Sequence, residues 1–352
     1  MITTTGNTII DNDLEEIISE PLHWEYLAHK NIIVTGANGM LPAYNVYTLL
    51  ALNDTYLKEK KCKIIANVRN YDKAKRKFER FLNRDDFQLL LKDVSELTEF
   101  CGKLDIVIHA ASQASPKYYG TDPVGTLKAN NIGTMNMLEL ARKNNCEKFL
   151  FFSSGEVYGV LDGSVSVIDE TYTGNVDITD VRSCYAESKR MGETMCVCYA
   201  QQYVLHVNML RLAHTYGPGC ALDDGRVFAD FVRNITDNEN IIVNSDGSAK
   251  RCFMYVSDMI KALFYVLFKG KNKEAYNVSS TKETSIKELA EMLCGLFPEK
   301  QLHAEFSETK DNNLYMKSKS TVGKLDNAKL CGLGWRQTVS LEDGFRRMIQ
   351  SY

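Results

Sequence analysis

The chain has 352 residues, 44% hydrophobic and 25% charged, the composition of a folded globular protein rather than a disordered or membrane-embedded one. Its 42 basic and 45 acidic side chains leave a formal charge of -3, so no overall basic field invites nucleic acid, and an anionic ligand has to be held locally. No apolar run approaches the roughly 20 residues that span a bilayer, the acidic opening is unlike an export signal, and ten cysteines without a CxxC pair or metal-ligand spacing read as reduced thiols of a cytoplasmic protein that binds no metal.

Residues 1–29 are a polar, acidic lead-in whose apolar positions Ile17, Ile18, Leu22, Trp24 and Leu27 can pack on the main body. From Asn31 a rhythm sets in: NIIVTG reads as a buried strand, LPAYNVYTLLALN as a helix, KCKIIANVRN as a second strand, and Tyr71–Leu82 as a basic helix. The strand FQLLLKDV, the strand LDIVIHAA, the helix PVGTLKANNIGTMNMLELARKN and the strand KFLFFSS follow. A long amphipathic helix, YAESKRMGETMCVCYAQQY, then leads into HVNMLRLAHTYGP. Apolar strands alternating with helices predict an α/β fold, a Rossmann-type doubly wound parallel sheet covered on both faces. Beyond about residue 215 the rhythm loosens into Gly- and Asp-rich loops, with helices near Asp258–Phe268 and Ser285–Leu296. The expected division is a nucleotide-binding domain over 30–215 and, over 216–352, mainly a smaller substrate-binding cap, with later segments free to return to the sheet.

TGANGM follows the first strand and opens a helix, so Gly36, Asn38, Gly39, Met40 and Leu41 form a turn where backbone can approach a pyrophosphate at the helix amino end. Pro42 stands where the related pattern has a third glycine, tolerable in a first helical turn. The second strand ends without an acid to pair an adenosine ribose. Instead Arg69 stands there, followed by Lys73, Lys75, Arg76 and Lys77. An arginine at that point suits a 2′-phosphate, which leans the cofactor expectation, NAD(P), toward NADP; the lysine run equally suits a solvated helix face. Asp93 and Val94 after the third strand are placed to meet the adenine, and Ala110, Ala111 and Ser112 after the fourth let a cofactor lie against the sheet edge.

Tyr185 and Lys189 are four apart on one helical face, where the ammonium can lower the phenol pKa and hold a nicotinamide ribose. A hydroxyl from Ser154 can bind the substrate oxygen whose proton Tyr185 takes, so that hydride can leave the adjacent carbon. Asp258, after a buried-looking strand, is expected to cap the next helix, and Cys184 to pack rather than react.

TGANGM, HAAS, SSGEVYG, YAESK, RLAHTYGP and YVSD resemble the NAD-dependent epimerase/dehydratase family, the extended branch of the short-chain dehydrogenases, over roughly residues 30–345. The resemblance implies Ser154, Tyr185 and Lys189 as catalytic triad, Asn130 beside the cofactor, and a homodimer through a four-helix bundle of the helices at about 124–143 and 185–203. It also implies oxidation of a nucleotide-diphosphate sugar, usually at C4. Within the family, ASQASPKYYGTDPVGTLKANNIGTMNML, KRMGETMC, DDGRVFADF and GSAKRCFMYVSD look like segments of UDP-glucuronate decarboxylases. That likeness makes Glu156 a catalytic glutamate, with a strand-end carboxylate paired to a neighbouring base as its alternative. It also places Ser115, Tyr118, Arg226 and Arg251 on the substrate, the arginines gripping diphosphate or ribose. Two departures stand out: the strand-two acid is missing, and the arginine expected before the C-terminal Gly-Trp is replaced by lysines, of which Lys317 and Lys319 are candidates for a sugar carboxylate. The 4,6-dehydratases have Asp-Glu where this chain has Gly155-Glu156, which argues against dehydration. The readings left open are a decarboxylase-like or epimerase cycle, a 4-ketosugar reductase, and a non-catalytic NAD(P)-sensing protein.

Overall fold

The computed structural model describes residues 4–161, 165–306 and 324–352. Seven strands form one parallel sheet: Asn31–Thr35, Lys63–Val68, Phe87–Leu91, Ile106–His109, Lys148–Ser154, Val207–Leu212 and Glu274–Val278. In space the first strand lies between the second and the fourth. The third is at one edge and Glu274–Val278 at the other, so the order reverses beside Asn31–Thr35. That reversal opens a crevice at the carboxyl ends of the strands, the place where such sheets bind ligands.

Alternation along each strand builds the two cores. Ile32, Val34, Ile64, Ala66, Ile106, Ile108, Leu150 and Phe152 join the larger cluster. Their neighbours Ile33, Ile65, Val107, Phe149 and Phe151 join the other. Successive side chains of a strand leave opposite faces of the sheet, and since helices cover both faces the strands are apolar on both, with buried polar residues such as Thr35, Asn67 and His109 toward their carboxyl ends. The helical stretch after the fourth strand is broken: Pro123–Leu127 and Gly133–Lys143 flank a π-helical turn, Lys128–Ile132.

The stretch HVNMLRLAHTYGP splits in two. Val207–Leu212 stays in the main sheet, whereas His214–Tyr216 pairs with Lys250–Tyr255 in a small three-stranded sheet completed by Glu283–Ser285. Helices Val227–Thr236, Ile286–Gly295 and Leu341–Gln350 pack around it as the cap. Helix Val256–Lys269 and strand Glu274–Val278 return to the sheet, so the cap is discontinuous in sequence. No helix among the described residues is long and apolar enough to cross a membrane.

The lead-in is tied down. Helix Thr8–Ile18 and the turn Trp24–Leu27 bury Ile17, Ile18, Trp24 and Leu27 in the larger core, with Leu22 packed against it. Inside, Asp13 accepts from Tyr44 (3.0 Å), Tyr255 (2.8 Å) and Arg347 (2.8 Å), joining the lead-in, the first sheet helix, the cap sheet and the last helix.

Asp258 corrects an expectation. It does not cap its helix; its carboxylate accepts from the amides of Thr338 and Val339 and from the Thr338 hydroxyl, at 2.7–3.1 Å, and so pins the C-terminal segment. The helix starts at Val256, which places Asp258 in the first turn rather than before it.

Candidate active site

The glycine turn is built for a close backbone approach. Gly36 has φ +68, and a Cβ there would stand 2.8 Å from the Ala111 Cα. Gly39 is the N-cap of helix Met40–Asp54 and offers no side chain to its amides, which remain available to an anion. Thr35 Oγ1 accepts from the amides of Ala110 and Ala111 at 3.1 and 3.0 Å, locking the first strand end to the fourth. Three buried oxygens have no partner: Asn38 Oδ1 in this turn, Ser112 Oγ just past Ala111, and Asn130 Oδ1 in the π-helical turn. Buried groups left unpaired call for a partner, and glycine cradle, bare helix end and orphan atoms together fit a dinucleotide. Asn130 sits in the π-helical turn and donates to Ser188 at 2.8 Å. Leu41 lines the cleft, and Met40 opens the helix against the core. Arg69 is exposed just past the second strand, near enough to help hold the Asp122 carboxyl below its usual range, behind the larger effects of Gln113 and the Gly125 amide. Asp93 accepts from the amide and hydroxyl of Ser95 at 2.8 and 2.7 Å, a turn that fixes the third strand's exit. Val94 is buried against Gly133.

Ser154 ends the fifth strand, and helix Ser183–Tyr203 carries Tyr185 and Lys189 past it. Burial pushes the Tyr185 phenol up to about 12, against the neighbouring Ser154 and Tyr119 hydroxyls and the charge of Arg226, which pull it down. Lys189 is buried and donates to Phe152 O at 2.7 Å, and burial drops its ammonium to about 7. The Lys189 ammonium is turned to the strand, 5.8 Å from the phenol ring centre, and Ser154, Arg226 and Tyr119 ease the phenol's ionisation.

Ser154 and Tyr185 open on a cleft of about 870 Å³ between sheet and cap. Glu156 lies at its wall, with its amide donating to Ser154 Oγ at 3.2 Å. Its carboxylate is gripped at two points by Arg182, at 2.8 and 3.0 Å. Arg226 and Arg251 also line the cleft. Arg226 donates from Nε to Asp224 at 2.7 Å. His214 lines the wall with its pKa lowered to about 4, first by burial and then by Arg251, so it is neutral at ordinary pH.

One sequence expectation shifts by a residue, and a second meets a different partner. Tyr118 is half exposed and does not line the cleft, whereas Tyr119 is buried and stacks on Tyr185 with ring centres 4.8 Å apart. The sequence has both tyrosines in a row, and only the helix Pro116–Thr121 decides which faces inward. Ser115 caps that helix and donates to Asp224 O at 2.5 Å, bridging to the cap loop rather than lining the cleft. Arg182 was missed altogether, although its position three residues before Tyr185 was a usable signal, since i,i+3 neighbours share a helical face. Lys317 and Lys319 lie outside the described residues.

A dinucleotide turn at the switch point of a doubly wound sheet, with a serine, tyrosine and lysine beside it, defines a dehydrogenase-type Rossmann protein of the extended short-chain class. Residues 32–279 match the model of the NAD dependent epimerase/dehydratase family, and the chain belongs to that family of enzymes. UDP-glucuronic acid decarboxylase 6 of Arabidopsis thaliana is 31% identical over 328 residues, 93% of this chain and 90% of that protein. UDP-glucuronic acid decarboxylase 1 of Danio rerio is 32% identical, covering 92% and 72%. Among solved structures, UDP-glucuronic acid 4-epimerase from Bacillus cereus, in complex with UDP-glucuronic acid and NAD, aligns with TM-score 0.75 at 22% identity, over 91% of this chain and 98% of that one. A dTDP-glucose 4,6-dehydratase from Streptomyces venezuelae with NAD bound aligns at 0.76 and 21%, over 92% and 96%. These two likenesses speak for the fold.

Proposed function

We propose that the chain oxidises C4 of a nucleotide-diphosphate uronic sugar, lets the carboxyl group leave from the resulting 4-ketone, and restores the alcohol, a redox-neutral decarboxylation. The observation that carries this is that Ser154 and Tyr185 share the wall of one arginine-lined cleft, which Leu41 of the glycine-turn helix also lines. The full-length likeness to decarboxylases supports the choice of reaction.

Gly36, Gly39, Ser112, Asn130 and Lys189 would hold the dinucleotide, which supplies a hydride acceptor and later a donor. In its ionised form Tyr185 takes the proton of the sugar's 4-hydroxyl, with Ser154 hydrogen-bonded to the same oxygen. Once C4 is a ketone the C5–C6 bond is that of a β-keto acid. It breaks with its electron pair moving through C5 to the C4 oxygen, and carbon dioxide leaves. Tyr185 and Ser154 steady the oxyanion, a proton closes C5, and Tyr185 returns its proton to O4 as the carbon is reduced. Arg226 is placed to meet the diphosphate, since its fork donates twice.

For the cofactor, Arg69 in place of a strand-end acid favours NADP; dissociation constants for NADP and NAD, in the parent and in Arg69→Ala, test that choice. The outward apolar residues Val124, Leu127, Met135, Met191 and Val197 lie on the helical segments of the proposed homodimer face, which light scattering would read. The reaction is tested by incubating the protein with NAD(P) and UDP-, CDP-, GDP- and dTDP-sugars, the glucuronates included. The expected product has lost carbon dioxide; a 4-epimer of unchanged mass makes the enzyme an epimerase, and no conversion of any sugar sinks the proposal.

A further inference from the structure

Arg182, Arg226 and Arg233 each reach a carboxylate in or beside the cleft: Glu156, Asp224 and Asp230. Arg251, which lines the same cleft, reaches none among the described residues, and its guanidinium donates to the backbone carbonyl of Lys250 at 2.7 Å. Burial holds the Arg251 guanidinium below its ordinary range, with Glu156 opposing and Arg182 adding to that effect. Among the described residues the wall next to Ser154 therefore carries two guanidiniums, Arg182 and Arg251, for one carboxylate, Glu156. A desolvated positive charge without a counter-charge is costly, and a substrate anion at this wall would neutralise it.

Arg182 carries a second mark. Its side chain is 11% exposed, both terminal nitrogens are spent on Glu156, and its Nε is buried with no partner. The guanidinium also lies over the Tyr119 ring, 5.6 Å from its centre, and that ring stacks on Tyr185. The unfilled donor thus belongs to a guanidinium one ring away from the Tyr185 phenol, on a side chain that lines the cleft.

We propose that Arg182 is the seat of the substrate's own carboxylate, which takes the guanidinium from Glu156 and so frees Glu156 to act beside Ser154. This rests on the uronic-sugar reading above and deepens it: the pair Arg182–Glu156 is an internal stand-in for the bound substrate, with a protein carboxylate holding the place of a sugar carboxylate. The planar fork presents two parallel donors to either carboxylate in turn, which a lysine ammonium cannot do. A neutral sugar has nothing to exchange for Glu156, so it leaves the pair closed and Arg251 unneutralised. The exchange makes Arg182 a specificity-determining residue for acidic over neutral sugars and supplies an anchor where the chain lacks the arginine before Gly334-Trp335.

Calorimetric titration of the full chain with UDP, UDP-glucose and UDP-glucuronate separates the outcomes, with UDP reporting that the cleft is folded. Arg182→Gln is expected to weaken UDP-glucuronate by about 10- to 100-fold, the scale of lost charge-assisted hydrogen bonds, and to move UDP and UDP-glucose by no more than about two-fold. Glu156→Gln removes the competitor, so it is expected to tighten UDP-glucuronate about three-fold or more while turnover falls; a merely structural pair would give no tightening. Equal weakening of all three ligands by Arg182→Gln together with no tightening in Glu156→Gln overturns the assignment. A parent protein that converts neutral sugar nucleotides and does not bind UDP-glucuronate also overturns it, while leaving C4 oxidation intact. The variant pattern without any turnover would instead sustain the carboxylate seat and sink the decarboxylation.

Discussion

Two acid–arginine clusters, one under the lead-in and one in the cleft, use the same chemical groups to opposite ends. Asp13 is fully buried, and two tyrosine hydroxyls and Arg347 converge on it; Arg347 also reaches Glu16 and Asp343. Burial raises the Asp13 carboxyl to about 6, against the pull of those three partners. Glu156 and Arg182 are joined as tightly, yet they face a cleft, keep an unpaired Nε and have a second guanidinium nearby. A surrounded charge cluster is a staple, since nothing can reach it; an open one is a site, since a ligand can finish it. The contrast predicts that changes at the cleft strike turnover and changes at the staple strike stability.

The largest effect is expected at Tyr185. Tyr185→Phe should lower turnover by about 10²- to 10⁴-fold, the worth of a positioned acid–base group, while cofactor affinity changes little. Steady-state rates beside a cofactor titration check this, and retained turnover would remove the phenol from the chemistry. Next comes the staple: Asp13→Ala should cost about 3 kcal/mol in denaturant unfolding, because it strips a buried acid from three partners. The rate per folded molecule should stay near that of the parent; a collapse in rate with unchanged stability would reverse the contrast drawn here.

The smallest effect tests where Lys189 belongs. Its folded pKa is lowered from 10.5 to about 7, so between those values the unfolded chain holds a proton that the folded chain has released. Folding stability should therefore rise with pH across that window and lose this contribution as pH falls through the folded value. The parent should gain at least about 1 kcal/mol relative to Lys189→Met from neutral pH to about 10, since each pKa unit is worth roughly 1.4 kcal/mol. Parallel unfolding curves for the two proteins at both pH values would show that burial does not control this lysine.

The parallel sheet, the glycine turn and the pairing of Tyr185 with Lys189 on one helical face were legible in the residues. Each depends on local periodicity or on a short spacing, and these survive without knowledge of the rest of the chain. What lay beyond the sequence was every relation that crosses the chain. Tyr119 rather than Tyr118 faces the cleft because of how helix Pro116–Thr121 packs, and Asp258 meets Thr338 eighty residues onward. The Lys189 ammonium turns to Phe152 O because helix Ser183–Tyr203 lies against the strand that ends at Ser154. Arg182 and Glu156 are twenty-six residues apart, and no spacing rule joins them. Local order sets which face a side chain occupies; only tertiary packing sets which distant charge it meets, because Coulomb attraction and desolvation depend on distance and burial rather than on position in the chain.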